Sequence, residues 1–274
     1  MLFQPTVLLL LLFLTLVPLG HSSEVRYAHN FDLTELETHR IVTVRNVFRH
    51  SEKVYRYALV PRGRALPELP GDTQVIRTPV ERVVAMETVY IGHMEALGEL
   101  DRIVAAATVN YISNPEVRER VKDGGIRAVQ IGQAIDVENL LTIQPDLILT
   151  SISGDPAFDI PHKLRRTGLP VVLSAGYMER HPLARAEWIK FVAAFFEQNE
   201  RADQIFEKIE SRYLKLAALT EEVEERPAIL CGAPYSGIWH VPGGKSYTAQ
   251  AIQDAGGDYL WRENQEQGGI PLDL

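Results

Sequence analysis

The residues with chemistry to offer are scattered along the chain and do not assemble into a catalytic signature. Glu87, Glu179 and His181 are the side chains best suited to move protons. His93, His181, Glu179 and Asp254 could donate to a metal. No spacing among them gathers the several N, O or S ligands that a directly held ion needs. His93 falls within a predicted helix, and His162 and His181 stand beside prolines at helix starts, where histidine commonly caps. His-Glu-x-x-His, Cys-x-x-Cys, Gly-x-Ser-x-Gly and Gly-x-Gly-x-x-Gly are all absent. Gly243-Gly244-Lys245-Ser246 approaches the tail of a phosphate-binding loop, but Trp239 stands where that loop needs its first glycine. Without it the backbone cradle does not form.

The elements that must position these groups are read from periodicity. Glu24–Val75 holds β-type runs at 27–33, 40–45 and 54–60, followed by a turn-rich link at 61–71. From Arg82 the pattern changes to alternating strand and helix. Strands are expected at 82–86, 103–107, 146–150 and 171–174, with helices at 90–97 (Gly98 as its C-cap), 136–141 and around 163–168. That alternation means a parallel sheet covered by helices. Trp188, Val192, Phe195 and Phe196 keep helical spacing, as do Ala202, Ile205, Phe206, Ile209, Tyr213 and Leu216. The second of these helices, over about 200–224, would be about 37 Å long. A new α/β unit begins after Arg226-Pro227: a strand at 228–231, a short strand at 238–241 and a helix at 247–255.

Two stretches carry a resemblance. Asp136-Val-Glu-Asn-Leu-Leu141 followed by Pro145-Asp-Leu-Ile148, and Glu95-Ala-Leu-Gly-Glu-Leu-Asp-Arg-Ile-Val-Ala105, closely resemble the N-terminal lobe of periplasmic binding proteins. These proteins deliver iron-siderophores, haem or vitamin B12 to ABC importers. The resemblance covers about Pro79 to Leu274 and leaves out Glu24–Val75. It implies two three-layer α/β lobes joined by a long helix that limits opening to a small hinge motion. The expected division is a signal peptide over 1–23 and an N-terminal β extension over 24–78. The first lobe then covers 79–181, inter-lobe helices 182–226 and the second lobe 227–274.

The ligand cleft of such a protein lies between the lobes, beyond the C-terminal ends of the strands. The resemblance therefore implies ligand contacts from Glu87, Thr88, Tyr111, Ser151 and Tyr177 in the first lobe and from Tyr235 and Trp239 in the second. Aromatic rings around a cleft suit a large, flat ligand. It further implies that Glu138, an acid on the outer rim, docks on arginines of the permease; a first-turn carboxylate favoured by the helix dipole would look the same. The expected protein is a monomer with no intrinsic cofactor, and its ligand a metal chelate or tetrapyrrole. A free metal ion or oxyanion as ligand, or an exported enzyme using Glu87, His181 or Glu179, are the competing expectations.

The remaining features fit an exported binder. The chain has 274 residues, 46% of them hydrophobic, enough for a substantial core. A net charge of −8 argues against nucleic acid or an anionic membrane as a partner. Val7–Leu19 is almost wholly apolar and is followed by Gly-His-Ser-Ser, as in a signal peptide. Cys231 is the single cysteine, so no cysteine follows that segment to accept a lipid, and a soluble periplasmic protein is expected. Cys231 itself is expected in the core. The second unit, about half the size of the first, is expected to be an incomplete lobe.

Overall fold

The computed structural model describes residues 24–131, 134–155, 164 and 166–273. The proposed signal segment and His162 fall outside them, as do residues 163 and 165 of the helix expected around 163–168, whose residues 166–168 form a turn.

The chain enters as an extended strap, residues 24–30, and then forms a four-stranded sheet. Its strands are β1 (Phe31–Glu35), β2 (Arg40–Val44), β3 (Tyr55–Pro61) and β4 (Gln74–Thr78). They lie in sequence order, antiparallel from β1 to β3 and parallel between β3 and β4. Next come β5 (Val83–Ala85), α1 (Thr88–Leu97), β6 (Ile103–Ala106), α2 (Pro115–Lys122) and β7 (Arg127–Ala128). A small hairpin of β8 (Gln130–Ile131) and β9 (Ala134–Ile135) leads to α3 (Val137–Ile143), β10 (Leu147–Thr150) and β11 (Val171–Leu173).

These build a parallel five-stranded sheet in the order β11-β10-β5-β6-β7. Every residue of β5, β10 and β11 is buried. That is why their sequences are unbroken apolar runs and do not alternate. Local chemistry sets the helix ends. Gly98 closes α1 in the left-handed conformation, φ 77°, with its N–H on the Glu95 carbonyl. Asn114 and Asp136 cap α2 and α3 by accepting from Val117 and Asn139.

Helices α4 (Pro182–Ala194) and α5 (Asn199–Ala218) follow. At 20 residues α5 is about 30 Å long, one turn and more short of the expected end near 224. Glu221, Glu222, Glu224 and Glu225 follow its last turn, where the helix dipole disfavours negative charge. The Thr220 hydroxyl instead lies 2.8 Å from the Ala217 carbonyl and 3.0 Å from that of Asp254. The second unit comprises β12 (Ala228–Ile229), β13 (Pro234–Tyr235), β14 (Ile238–Pro242), α6 (Tyr247–Asp254), β15 (Asp258–Tyr259) and β16 (Gly269–Asp273). β12 pairs in parallel with β15, and β13-β14-β16 form an antiparallel sheet.

One hydrophobic core runs from Ala28 to Phe206, so the first sheet shares its core with the parallel sheet. Phe31 packs on Trp188 and Phe191 with ring centroids 4.7 and 5.8 Å apart. The Leu173 N–H donates to the Tyr57 hydroxyl at 2.9 Å, tying β3 to β11. The second unit stands apart from that core, and Cys231, expected to be buried, is only half-buried beside exposed Leu230.

The strap is held by buried charge. Glu187 is fully buried, and its carboxylate accepts the N–H groups of Arg26, Tyr27 and Ala28 at 2.9, 2.7 and 2.9 Å. Lys190 lies 3.3 Å from Glu187 and 3.2 Å from Asp203, and donates to the Glu24 carbonyl at 2.6 Å. Residues 27–30, expected as strand, give their N–H groups to carboxylates, so β1 begins only at Phe31. Glu187→Ala is expected to lower stability by about 3–5 kcal/mol in denaturant unfolding, because it leaves three strap amides without partners and takes from buried Lys190 one of its two carboxylates. A loss below about 1 kcal/mol, the size of a surface pair, would contradict this role.

Candidate functional site

The parallel sheet has its switch point between β5 and β10. The chain leaves central β5 toward β6 on one side and returns to β10 on the other, so a crevice opens beyond their C-terminal ends. Glu87 stands there, just before α1, and does not cap its own helix. Its Oε1 accepts from the Ser151 N–H at 3.0 Å, the Ser151 hydroxyl at 3.3 Å and the Thr150 hydroxyl at 3.2 Å. Its Oε2 is buried without a hydrogen-bond partner, and the Tyr90 hydroxyl, which interacts with the carboxylate, donates to Ser174 at 3.0 Å. Burial raises the Glu87 carboxyl above its ordinary range, while the Ser151 amide pulls it back.

A cavity of about 590 Å³ lies between the first lobe and the second unit. Tyr177, Met178 and Arg180 wall it from the loop after β11, and Arg185 from the first turns of α4. The facing wall is His240 and Val241 of β14 with Ser246–Thr248 at the start of α6. Arg49 of the N-terminal extension closes one side. Each wall is braced. Arg185 donates to the carbonyls of Glu179 at 3.1 Å and Tyr177 at 2.7 Å. Its guanidinium sits 4.1 Å from the centre of the Tyr247 ring, a cation–π contact that spans the cleft. Burial pulls Arg185 below its ordinary value.

The extension is fitted to this loop system. The Tyr177 hydroxyl lies 2.8 Å from the Ile152 carbonyl and 3.1 Å from that of Val47. Gly154, at φ +87°, touches Phe48 so closely that an added Cβ would sit 2.5 Å from the ring. Arg49 forms an ion pair with Glu266 of the second unit. Glu179 is 3% exposed and accepts from the His29 and Asn30 N–H groups at 3.0 and 2.9 Å and from the Trp188 indole at 3.3 Å. Burial raises its carboxyl, and those donors offset the rise.

The sequence-derived candidates are placed unevenly. Tyr177 lines the cavity and is 44% exposed. Glu87 and Ser151 meet at the switch point, and Thr88 is exposed beside them as the first residue of α1. Tyr111 is 80% exposed in the loop after β6. Trp239 donates its indole N–H to the Cys231 carbonyl at 3.2 Å and meets Trp261 edge-on. Tyr235 contributes backbone to β13 opposite Ile238. Glu138 is exposed in the first turn of α3. His181 caps α4 by accepting from the Leu183 N–H, and lies 3.7 Å from Asp254. Among the described residues no three His, Cys, Asp or Glu side chains come together as a metal-ion site.

The cavity residues missing from the sequence reading are Arg49, Arg180, Arg185, His240 and Tyr247. Arg185 was within reach, being three residues past Pro182, the first residue of α4. Nothing in the sequence pointed to Arg49, which precedes the resembling region.

Comparison with known proteins bears on the whole arrangement. A family model described as periplasmic binding protein matches residues 83–274. An uncharacterized lipoprotein of Methanocaldococcus jannaschii is 28% identical over 222 residues, 76% of this chain and 51% of its own. A vitamin B12-binding protein of Vibrio campbellii is 27% identical over 112 residues, 40% of this chain and 37% of its own. The chain spans about half the length, or less, of the curated relatives it matches. Among solved structures, a periplasmic binding protein from Veillonella parvula superposes with a TM-score of 0.60 at 19% identity, covering 87% of this chain and 70% of its own. The family match begins at Val83, so the structural likeness reaches back into the N-terminal sheet.

His93, one of the sequence-derived metal donors, lies outside the lining of the cleft, and burial lowers its pKa from 6.5 to about 4. The unfolded chain therefore binds the extra proton between those values. Stability from this group is complete above pH 6.5 and is lost as pH falls toward 4. The loss amounts to roughly 3 kcal/mol. His93→Gln is expected to flatten that part of a stability–pH profile measured by denaturant unfolding. An unchanged slope would place His93 in solvent.

Proposed function

The chain belongs to the periplasmic binding protein family, and on that premise we propose that it captures a metal chelate or tetrapyrrole and hands it to the permease of an ABC importer. The candidates are an iron-siderophore, haem or a corrinoid. One observation carries the reading: the cleft of about 590 Å³ whose walls come from both sides of α5 and from the extension. That volume falls within the range of about 300–1,000 Å³ typical of small-molecule sites.

Capture is an equilibrium between an open and a slightly more closed pair of lobes. The rigid α5 keeps the motion small, and the contact of Arg185 with Tyr247 marks where the walls meet. The Tyr177 and Tyr247 rings offer flat apolar faces, and their surroundings offer polar groups that fix orientation. A chelated metal suits this lining better than a bare ion, since the described residues present rings and guanidiniums where an ion would need converging donors. The division into an extension over 24–78, a first lobe over 79–181, linking helices over 182–226 and a second lobe over 227–274 belongs to the same proposal. So do export, a monomeric state and docking through Glu138, whose exposed position on α3 suits contact with basic residues of a permease.

Titration of the purified protein with haemin, cyanocobalamin and a ferric siderophore, read by tryptophan fluorescence and by melting temperature, tests the proposal. At least one probe is expected to bind in one-to-one ratio and to raise the melting temperature in step with its concentration. Glu138→Arg is expected to keep that affinity while lowering cellular uptake by about tenfold. Failure of all three probes to bind would contradict the capture role, and unchanged uptake would remove Glu138 from the dock.

A further inference from the structure

We propose that the cleft contains an anion subsite built by Arg180 and Arg185 of the first lobe and Arg49 of the extension, and that the captured ligand is a chelate or tetrapyrrole bearing carboxylates. The inference rests on the capture reading and specifies the chemistry that the cleft selects.

Charge in the cavity runs against the charge of the molecule. The chain as a whole carries −8, yet three guanidinium groups line this one cavity, and Glu179 is the single carboxylate among its described lining residues. Glu179 is committed: buried at 3% exposure, it already accepts from two strap amides and the Trp188 indole. It does not neutralise the arginines by ion pairing. Among the described residues Arg180 makes no hydrogen bond or ion pair, and its side chain also lines two adjoining cavities of about 510 and 310 Å³. Arg185 is held against Tyr247 and bonded through Nε and Nη2 to two carbonyls, which leaves Nη1 uncommitted among the described residues. Arg49 pairs with Glu266, but both side chains are more than half exposed, at 57% and 52%. A ligand carboxylate displaces such a pair at little cost.

Complementarity then decides the ligand class. A neutral ligand sealed into this cleft would desolvate guanidinium groups without giving them acceptors. A carboxylate meets the planar guanidinium fork with two parallel, charge-assisted hydrogen bonds. Arg49 also gives the N-terminal extension a direct part in recognition, although it lies outside the residues matched by the family model.

The test uses the full protein with probes of defined charge. Haemin and ferric citrate carry carboxylates; cyanocobalamin and a ferric trihydroxamate carry none. The carboxylate probes are expected to bind about tenfold or more tightly than the others, with affinity falling as salt is raised. Arg180→Gln and Arg49→Gln, both at exposed side chains, are each expected to weaken the carboxylate probes about tenfold, and far more than they weaken the neutral ones. Their melting temperatures without ligand should match that of the unaltered protein, separating lost recognition from lost folding. Tighter binding of the neutral probes, or carboxylate affinity unchanged in both variants, overturns the anion subsite and leaves the capture role standing. Binding of no probe of either kind overturns both.

Discussion

Five consecutive backbone amides, Arg26 to Asn30, terminate on two buried carboxylates, and the position of the extension follows from that. Glu187 takes the first three and Glu179 the next two. A buried carboxylate is costly unless donors surround it, and an extended segment with no strand partner leaves its amides unsatisfied. Each side meets the need of the other. Lys190, 4% exposed, completes the arrangement by neutralising Glu187 and holding the Glu24 carbonyl. Tyr27 and Arg26 extend it to α5 through Glu210. The strap thus reads both the first lobe and the helix that leads to the second unit.

From that anchor the extension reaches the cleft. Phe31 is set into the ring cluster of Trp188 and Phe191, which fixes β1 and so the sheet that follows. The chain after β2 then passes over the loops beyond β10 and β11, where Val47, Phe48 and Arg49 meet Tyr177, Gly154 and the cavity. Glu179 therefore serves two structures at once: its side chain holds the strap, and its carbonyl orients Arg185 toward the cleft. Asp254 is a second junction. It accepts from Tyr213 of α5 and Gln250 of α6 and lies beside His181 at the start of α4, so α5 and both walls converge on one residue. Burial and this hydrogen bond raise Tyr213 well above the ordinary tyrosine range, keeping it the donor.

The legible part of the fold was the part with strong periodicity. The runs at Val83–Ala85, Ile103–Ala106, Leu147–Thr150 and Val171–Leu173 are strands within a residue or two of expectation, because buried parallel strands need unbroken apolar sequence. Gly98 was readable as a C-cap because its position demands a positive φ. The strap was not readable: Tyr-Ala-His-Asn looks like strand, and its partners are 149 to 161 residues away in sequence. The end of α5 was overrun because apolar spacing continues past the point where four glutamates oppose the dipole. Loop position predicted that Tyr177 would face the cleft, but it could not show Arg49, whose pair with Glu266 spans 217 residues of sequence.

The strap is bonded as part of the folded first lobe and not as a loose tail laid on it. Native-state hydrogen exchange of the amides of Tyr27, Ala28 and Asn30 measures this directly. They are expected to exchange as slowly as amides of β5 and β10, through global unfolding. Exchange as fast as that of an exposed terminus, with β5 and β10 still protected, would contradict that bonding and would detach Arg49 and the extension from the cleft.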